Sequence, residues 1–173
     1  TDDTFTGIMD VQGEITVTEK ISVPEIVLDT HPITWNDEDH TINVDTGKGI
    51  VIQVGQETVV RVFNNTGSVL IDGQVVHVLG TSTNGLPNVG LAIANSHETL
   101  TDEVGVLTGS ILVGQDGFMT INGTVRGINT SNLTIGPIYV SATVPGGLTS
   151  IKPNFPNYAA LVGTAVSISP TSG

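Results

Sequence analysis

Three short clusters in this chain carry side chains of the kind that does chemistry. Asp45-Thr46-Gly47 has the residue order of an aspartic-protease motif. That reaction needs two carboxylates sharing one proton. One copy would serve only across a symmetric dimer, and Lys48-Gly49 follows where a small residue is wanted. An acidic glycine turn is therefore expected. His31, Asp37, Glu38, Asp39 and His40 supply donors for a hard or borderline cation. The glycine and the closing glutamate of a calcium loop are missing, so a solvated hairpin turn is expected. Asp37, Glu38, Asp39 and His40 stay as the weak metal candidates, suited to calcium or magnesium between protomers. Ser96, His97 and Glu98 set a hydroxyl beside an imidazole. Sequence neighbours do not face one another as a nucleophile and its base must. Gly47-Lys48 lacks the spacing and the following Ser or Thr of a phosphate loop. No catalytic residue, cofactor site or cofactor is expected.

The elements around these clusters are short and strand-like. Ile15, Val17, Ile21 and Val23 share one face of an alternating stretch, a half-buried strand or hairpin. Residues 32–44 read as a hairpin with its polar turn at 36–39. Further strands are expected at 50–54, 58–63, 74–78, 89–94, 104–107, 110–113, 118–121, 138–144 and 161–168, with one helical turn at 96–103. Asn122-Gly123 suits a hairpin turn or a glycine bulge within one strand. Ten to twelve short strands predict an all-β fold, a short-stranded β-barrel or sandwich preceded by an extended hairpin-rich N-terminal arm. The expected division is residues 1–64 for the arm and its hairpins, concerned with attachment and oligomerisation, and 65–173 for a compact barrel. Val59, Val62, Val75 and Val78 are the expected core.

Charge narrows the partners. The net charge is −12, and Lys20, Lys48, Arg61, Arg126 and Lys152 are the only lysines and arginines. Such a chain repels nucleic acid and anionic membrane surfaces, so neither is an expected partner. No cysteine is present, which removes disulfides, thiolate zinc sites and thiol nucleophiles. With so few cations, Arg61 and Arg126 are expected in ion pairs between strands or between subunits. Trp35, the sole tryptophan, is expected in the core of the hairpin arm or at an interface. The interface candidates are Trp35, Arg61, Arg126, Ile15, Val17, Ile21 and Val23.

Several segments, in order, carry a resemblance. They are Ile33-Thr34-Trp35-Asn36-Asp37, Gly55-Gln56-Glu57-Thr58-Val59-Val60-Arg61-Val62 with Asn65-Thr66-Gly67, and Gly73-Gln74-Val75-Val76. Val125-Arg126-Gly127-Ile128-Asn129-Thr130-Ser131, Ile138-Tyr139-Val140-Ser141, Gly146-Gly147-Leu148-Thr149, Lys152-Pro153, Pro156-Asn157 and Val162-Gly163 follow. Together they resemble virion structural proteins of tailed bacteriophages, of the tail-fibre, head-fibre and capsid-decoration type. The resemblance implies a β-rich homotrimer on the exterior of the phage particle, held to capsid or tail proteins by its N-terminal arm and without enzymatic activity. It implies capsid decoration or a head fibre first, because no further repeats follow. The alternative is a tail-fibre base or a receptor- or carbohydrate-binding module meeting a host surface glycan.

Overall fold

The computed structural model describes residues 31–100 and 104–173, together with the backbone of 25–28. The described residues are all-β and contain no helix. They form twelve strands: β1 (Glu25–Leu28), β2 (His31–Asn36), β3 (Thr41–Asp45), β4 (Val51–Val54), β5 (Glu57–Phe63) and β6 (Val75–Thr81), then β7 (Pro87–Leu91), β8 (Val104–Leu107), β9 (Asp116–Gly123), β10 (Gly136–Val140), β11 (Leu148–Thr149) and β12 (Leu161–Ala165). Nine belong to one mixed sheet in the order β1-β2-β3-β4-β5-β7-β6-β8-β9, and β11-β10-β12 form a second, three-stranded sheet.

The first four strands make an antiparallel ribbon whose register follows from period-two patterning. Ile33 lies opposite Val44, Trp35 opposite Ile42, and Ile42 in turn opposite Val54. The polar turn between β2 and β3 is capped by Asn36, whose Oδ1 accepts the N–H groups of Glu38 and Asp39 at 3.0 and 3.2 Å. A turn at Gly55, with φ of +95°, then brings β4 beside β5 through one parallel bridge, Val54 to Glu57.

Beyond the ribbon the pairing returns on itself. β5 pairs with β9 along its whole length, from Glu57 opposite Gly123 to Phe63 opposite Asp116. The same β5 meets β7 through a single parallel bridge, Phe63 to Asn88. β7 pairs with β6, β6 with β8, and β8 with β9. The division expected at 64/65 therefore cuts between β5 and its own partners. Local patterning marks where a strand ends; it carries no information about a partner more than fifty residues away.

Two cores lie on opposite sides of β6. Val62, Leu70, Val76, Val89, Leu107, Ile111 and Met119 form the first. Val75, Ala92, Ala94 and Val140 form the second, between β6 and the three-stranded sheet. The alternation that sends Val76 inward sends Val75 and His77 the other way, and all three are buried. Backbone bonds seal the junction: Val75 N–H donates to Gly146 C=O at 2.9 Å and Ala94 N–H to Ser141 C=O at 2.9 Å. Of the four expected core valines, Val62 and Val75 are fully buried, and Val78 packs on the first core from a partly buried position. Val59 is half-buried and on the other face of β5, because an odd spacing from Val62 cannot share its face in a strand.

Two local expectations are corrected and an open pair of readings is decided. Residues 110–113 supply one isolated bridge, Leu70 to Ile111, rather than a strand. Of the helical turn expected at 96–103, residues 96–100 form bends and a turn instead, with Leu100 N–H donating to His97 C=O at 3.0 Å, and 101–103 lie outside the described residues. Of the two readings of Asn122-Gly123, the irregularity within one strand is the one found, not the hairpin. β9 runs through the pair, with a register shift opposite Thr58 and Val59. Gly123 has φ of +111°, and a Cβ there would collide with the Gln56 carbonyl and Glu57 Cα. Residues 15–23 lie outside the described residues.

Burial sets the expected cost of truncation. Met119→Ala should destabilise by about 2–5 kcal/mol, since it removes a fully buried side chain from a packed core. Leu112→Ala, on an exposed side chain, should stay within about 0.5 kcal/mol of the parent. Urea unfolding of the two variants checks the contrast.

Candidate functional site

The charged side chains gather into two clasps that hold the ribbon against the rest of the molecule. The first is centred on Asp116, at the start of β9. Arg61 lies one diagonal away on the same face, because Phe63 is opposite Asp116 and Arg61 opposite Phe118. Its Nε donates to Asp116 Oδ2 at 2.7 Å, and Lys48 Nζ approaches Oδ1 at 3.1 Å. Lys48 is delivered by the turn between β3 and β4. There Gly47 N–H donates to Asp45 Oδ1 at 2.8 Å and Thr46 Oγ1 to Ile50 C=O at 2.8 Å. Gly47, with φ of +71°, has no room for a Cβ, which would stand 2.6 Å from His31 Cε1. The hydrogen bond from Arg61, reinforced by Lys48, holds the Asp116 carboxyl below the usual carboxylate range.

The second clasp is centred on Asp39 and Arg126. After β9 the chain passes Thr124, whose N–H donates to Gln56 C=O at 3.2 Å. That contact brings Arg126 under the ribbon. Its Nη1 sits 2.8 Å from Asp39 Oδ2, and its guanidinium also donates to the side-chain carbonyls of Gln53 and Gln56. Gln53 Nε2 donates to Asp39 Oδ2 at 2.8 Å, and Gln56 Nε2 to the Asp39 carbonyl at 3.2 Å. The Gln53 hydrogen bond, followed by the Arg126 charge, lowers the Asp39 pKa.

These networks place the residues singled out from sequence. Arg61 and Arg126 both find carboxylates within the chain. Trp35 lies on β2 with 56% of its surface exposed, its ring centroid 6.4 Å from that of His40. Ile15, Val17, Ile21 and Val23 lie outside the described residues. Among the weak metal candidates, Asp39 is committed to Arg126 and Gln53, while Asp37, Glu38 and His40 are exposed. Among the described residues no three His, Cys, Asp or Glu side chains converge as a metal site. Asp45 caps its own turn, and the His97 ring meets the edge of Tyr158 with centroids 5.4 Å apart. Sequence reading missed Asp116, Gln53 and Gln56. No local pattern marks them; only the register of β5 on β9 and the path of residues 124–126 bring them to the cations.

Two further surfaces complete the inventory. A cavity of about 390 Å³ lies between the end of β9 and β12, walled by Val125, Ile128, Leu133, Ile138, Leu148 and Val162. No titratable side chain lines it. A turn closed by Asn157 N–H to Asn154 C=O at 2.9 Å carries Phe155, which is 96% exposed, with Tyr158 beside it. Comparison with protein-family models, curated proteins and solved structures finds no match to this chain.

The clasps set a pH dependence. Both carboxyls are held low in the folded chain, so their stabilising contribution is complete above the unfolded aspartate pKa of about 3.9 and is lost as pH falls through the folded values. Carbon-detected NMR titration should place both midpoints below that reference. Arg126→Ala should raise the Asp39 midpoint and leave Asp116 alone, and Arg61→Ala should do the reverse. A shift of both midpoints in either variant would show that the clasps are not independent.

Proposed function

We propose that the chain is a non-enzymatic structural protein of a bacteriophage particle. It forms a homotrimer on the particle exterior as a capsid-decoration or head-fibre protein. The ring β5-β7-β6-β8-β9 serves as a small β-barrel, and the ribbon of β1–β4 belongs to the arm that meets neighbouring subunits and capsid or tail proteins. One observation carries this reading: the ribbon exposes an apolar row, Trp35, Ile42 and Val54, that the other described residues leave uncovered. A row of this kind on a charged, β-rich chain suits a protein whose neighbours complete it. The fate of the titratable groups supports the absence of catalysis. The two carboxyls with lowered pKa are held by arginines and a lysine, and the side chains lining the cavity beside β12 are hydrocarbon and the hydroxyls of threonines and Ser167.

A second reading, a tail-fibre base or a module that binds a host surface glycan, is favoured by Phe155 and Tyr158. Exposed rings on one turn suit stacking against a sugar face. Labelling of intact phage particles with an antibody against the chain, read by electron microscopy, separates the two. Label over the head supports decoration. Label at the tail tip, with glycan binding lost in Phe155→Ala, supports the second reading. Absence of the chain from purified particles would sink both.

A further inference from the structure

The ribbon is amphipathic in the reverse of the usual sense. Residues on one face of a strand recur every second position. Ile33 and Trp35, Ile42 and Val44, and Ile52 and Val54 therefore share one face, as their register confirms. Thr34, Asn43 and Gln53 share the other, directly opposite one another. It is the polar face that carries Gln53 to Arg126 and Asp39. One row of the apolar face looks outward: Trp35 is 56% exposed, Ile42 45% and Val54 50%, while the neighbouring row of Ile33, Val44 and Ile52 is half-buried. These three are mutual register partners, so they form one continuous row across three strands.

We propose that this outward face is the self-association surface of the chain, covered by the same face of further copies. The number three rests on the trimer reading above; the choice of face does not. Charge argues for the occupant. At −12, copies repel one another over most of their surfaces, and a basic partner would be drawn to the carboxylates. Among the described residues this face holds Ile33, Trp35, Ile42, Val44, Ile52 and Val54 with no carboxylate or ammonium, and imidazoles border it at His31 and, beside Trp35, at His40. Two like-charged chains can meet here without opposing like charges at close range. The row matches a copy of itself: bulky Trp35 and β-branched neighbours interdigitate across the ~10 Å separation of packed sheets.

The magnitude of the contact follows from strand spacing. Four strands about 4.8 Å apart, each about 17 Å long, give a flat face of roughly 350 Å². A stable interface buries about 800 Å² per partner. This face alone therefore gives weak, concentration-dependent association, which assembly on a particle would reinforce through many simultaneous contacts.

Sedimentation equilibrium of the full chain, from micromolar to near-millimolar concentration, tests the proposal. The expected result is reversible self-association that Trp35→Glu weakens by at least about tenfold. Ile42→Glu should do the same, and Phe155→Glu, on the distant exposed turn, should not. Circular dichroism and melting of each variant check that the fold is retained. A trimer abolished by Trp35→Glu and Ile42→Glu supports both the face and the trimer. A dimer abolished by them keeps the face and overturns the trimer. A trimer that survives both substitutions overturns the face and keeps the trimer. A chain that stays monomeric throughout overturns the proposal, as does hydrogen-exchange protection of β2–β4 that appears only on mixing with purified capsids.

Discussion

The antiparallel pairing of β5 with β9 is the contact on which the other features depend. It joins residues more than fifty positions apart, and without it the pairing from β7 to β6 to β8 to β9 would end in an open edge. Its register sets Arg61 one diagonal from Asp116 and so builds the first clasp. Its far end, where Gly123 passes close to the Gln56 carbonyl, launches the segment that places Arg126 beneath the ribbon. One hydrogen-bonded ladder thus closes the body of the protein and orients the element that stands outside it. Such a pairing has a large loop-closure cost, which the burial of Val62 and Met119 on its inner face must offset.

β6 adds the second constraint. Val75 and Val76 are both fully buried although they point to opposite sides. Over Val75–His77 the strand therefore has no solvent face, and the three-stranded sheet of β10, β11 and β12 is needed to cover Val75. The backbone bonds among Val75, Ala92, Ala94, Ser141 and Gly146 lock that cover in place. A strand start buried on both sides ties the C-terminal sheet to β6, both of which lie within the expected 65–173 unit.

What could be read from the sequence divides along the same line between local and non-local interactions. The β2–β3 hairpin was legible because alternation and a polar turn are local signals, and Trp35 opposite Ile42 follows from them. The all-β class was legible from β-branched residues and glycine. Val59 was misread as core because the apolar run around it conceals which parity faces inward; only Val62, fixed against the core, settles the face. Residues 110–113 have strand composition, yet their neighbours offer only one bridge. The clasps were half legible. Scarcity of cations singled out Arg61 and Arg126, but Asp116, Asp39, Gln53 and Gln56 reach them through tertiary register that no short window contains.

The orientation of the ribbon then follows from competition between two kinds of surface. An amphipathic sheet beside an apolar body would ordinarily turn its apolar face inward, at about 25 cal/mol for each Å² removed from water. Here the body offers Arg126 and Asp116 at the contact, and neither tolerates burial without a partner. Gln53, Gln56 and Asp39 satisfy Arg126 only when the polar face is inward, and Lys48 completes Asp116 only from the turn at that side. Turning the ribbon over would take Gln53, Gln56 and Asp39 away from the Arg126 guanidinium and set Trp35 and Ile42 in their place. The polar clasps therefore go together with an outward apolar row: the face that meets the charges of the body is the polar one.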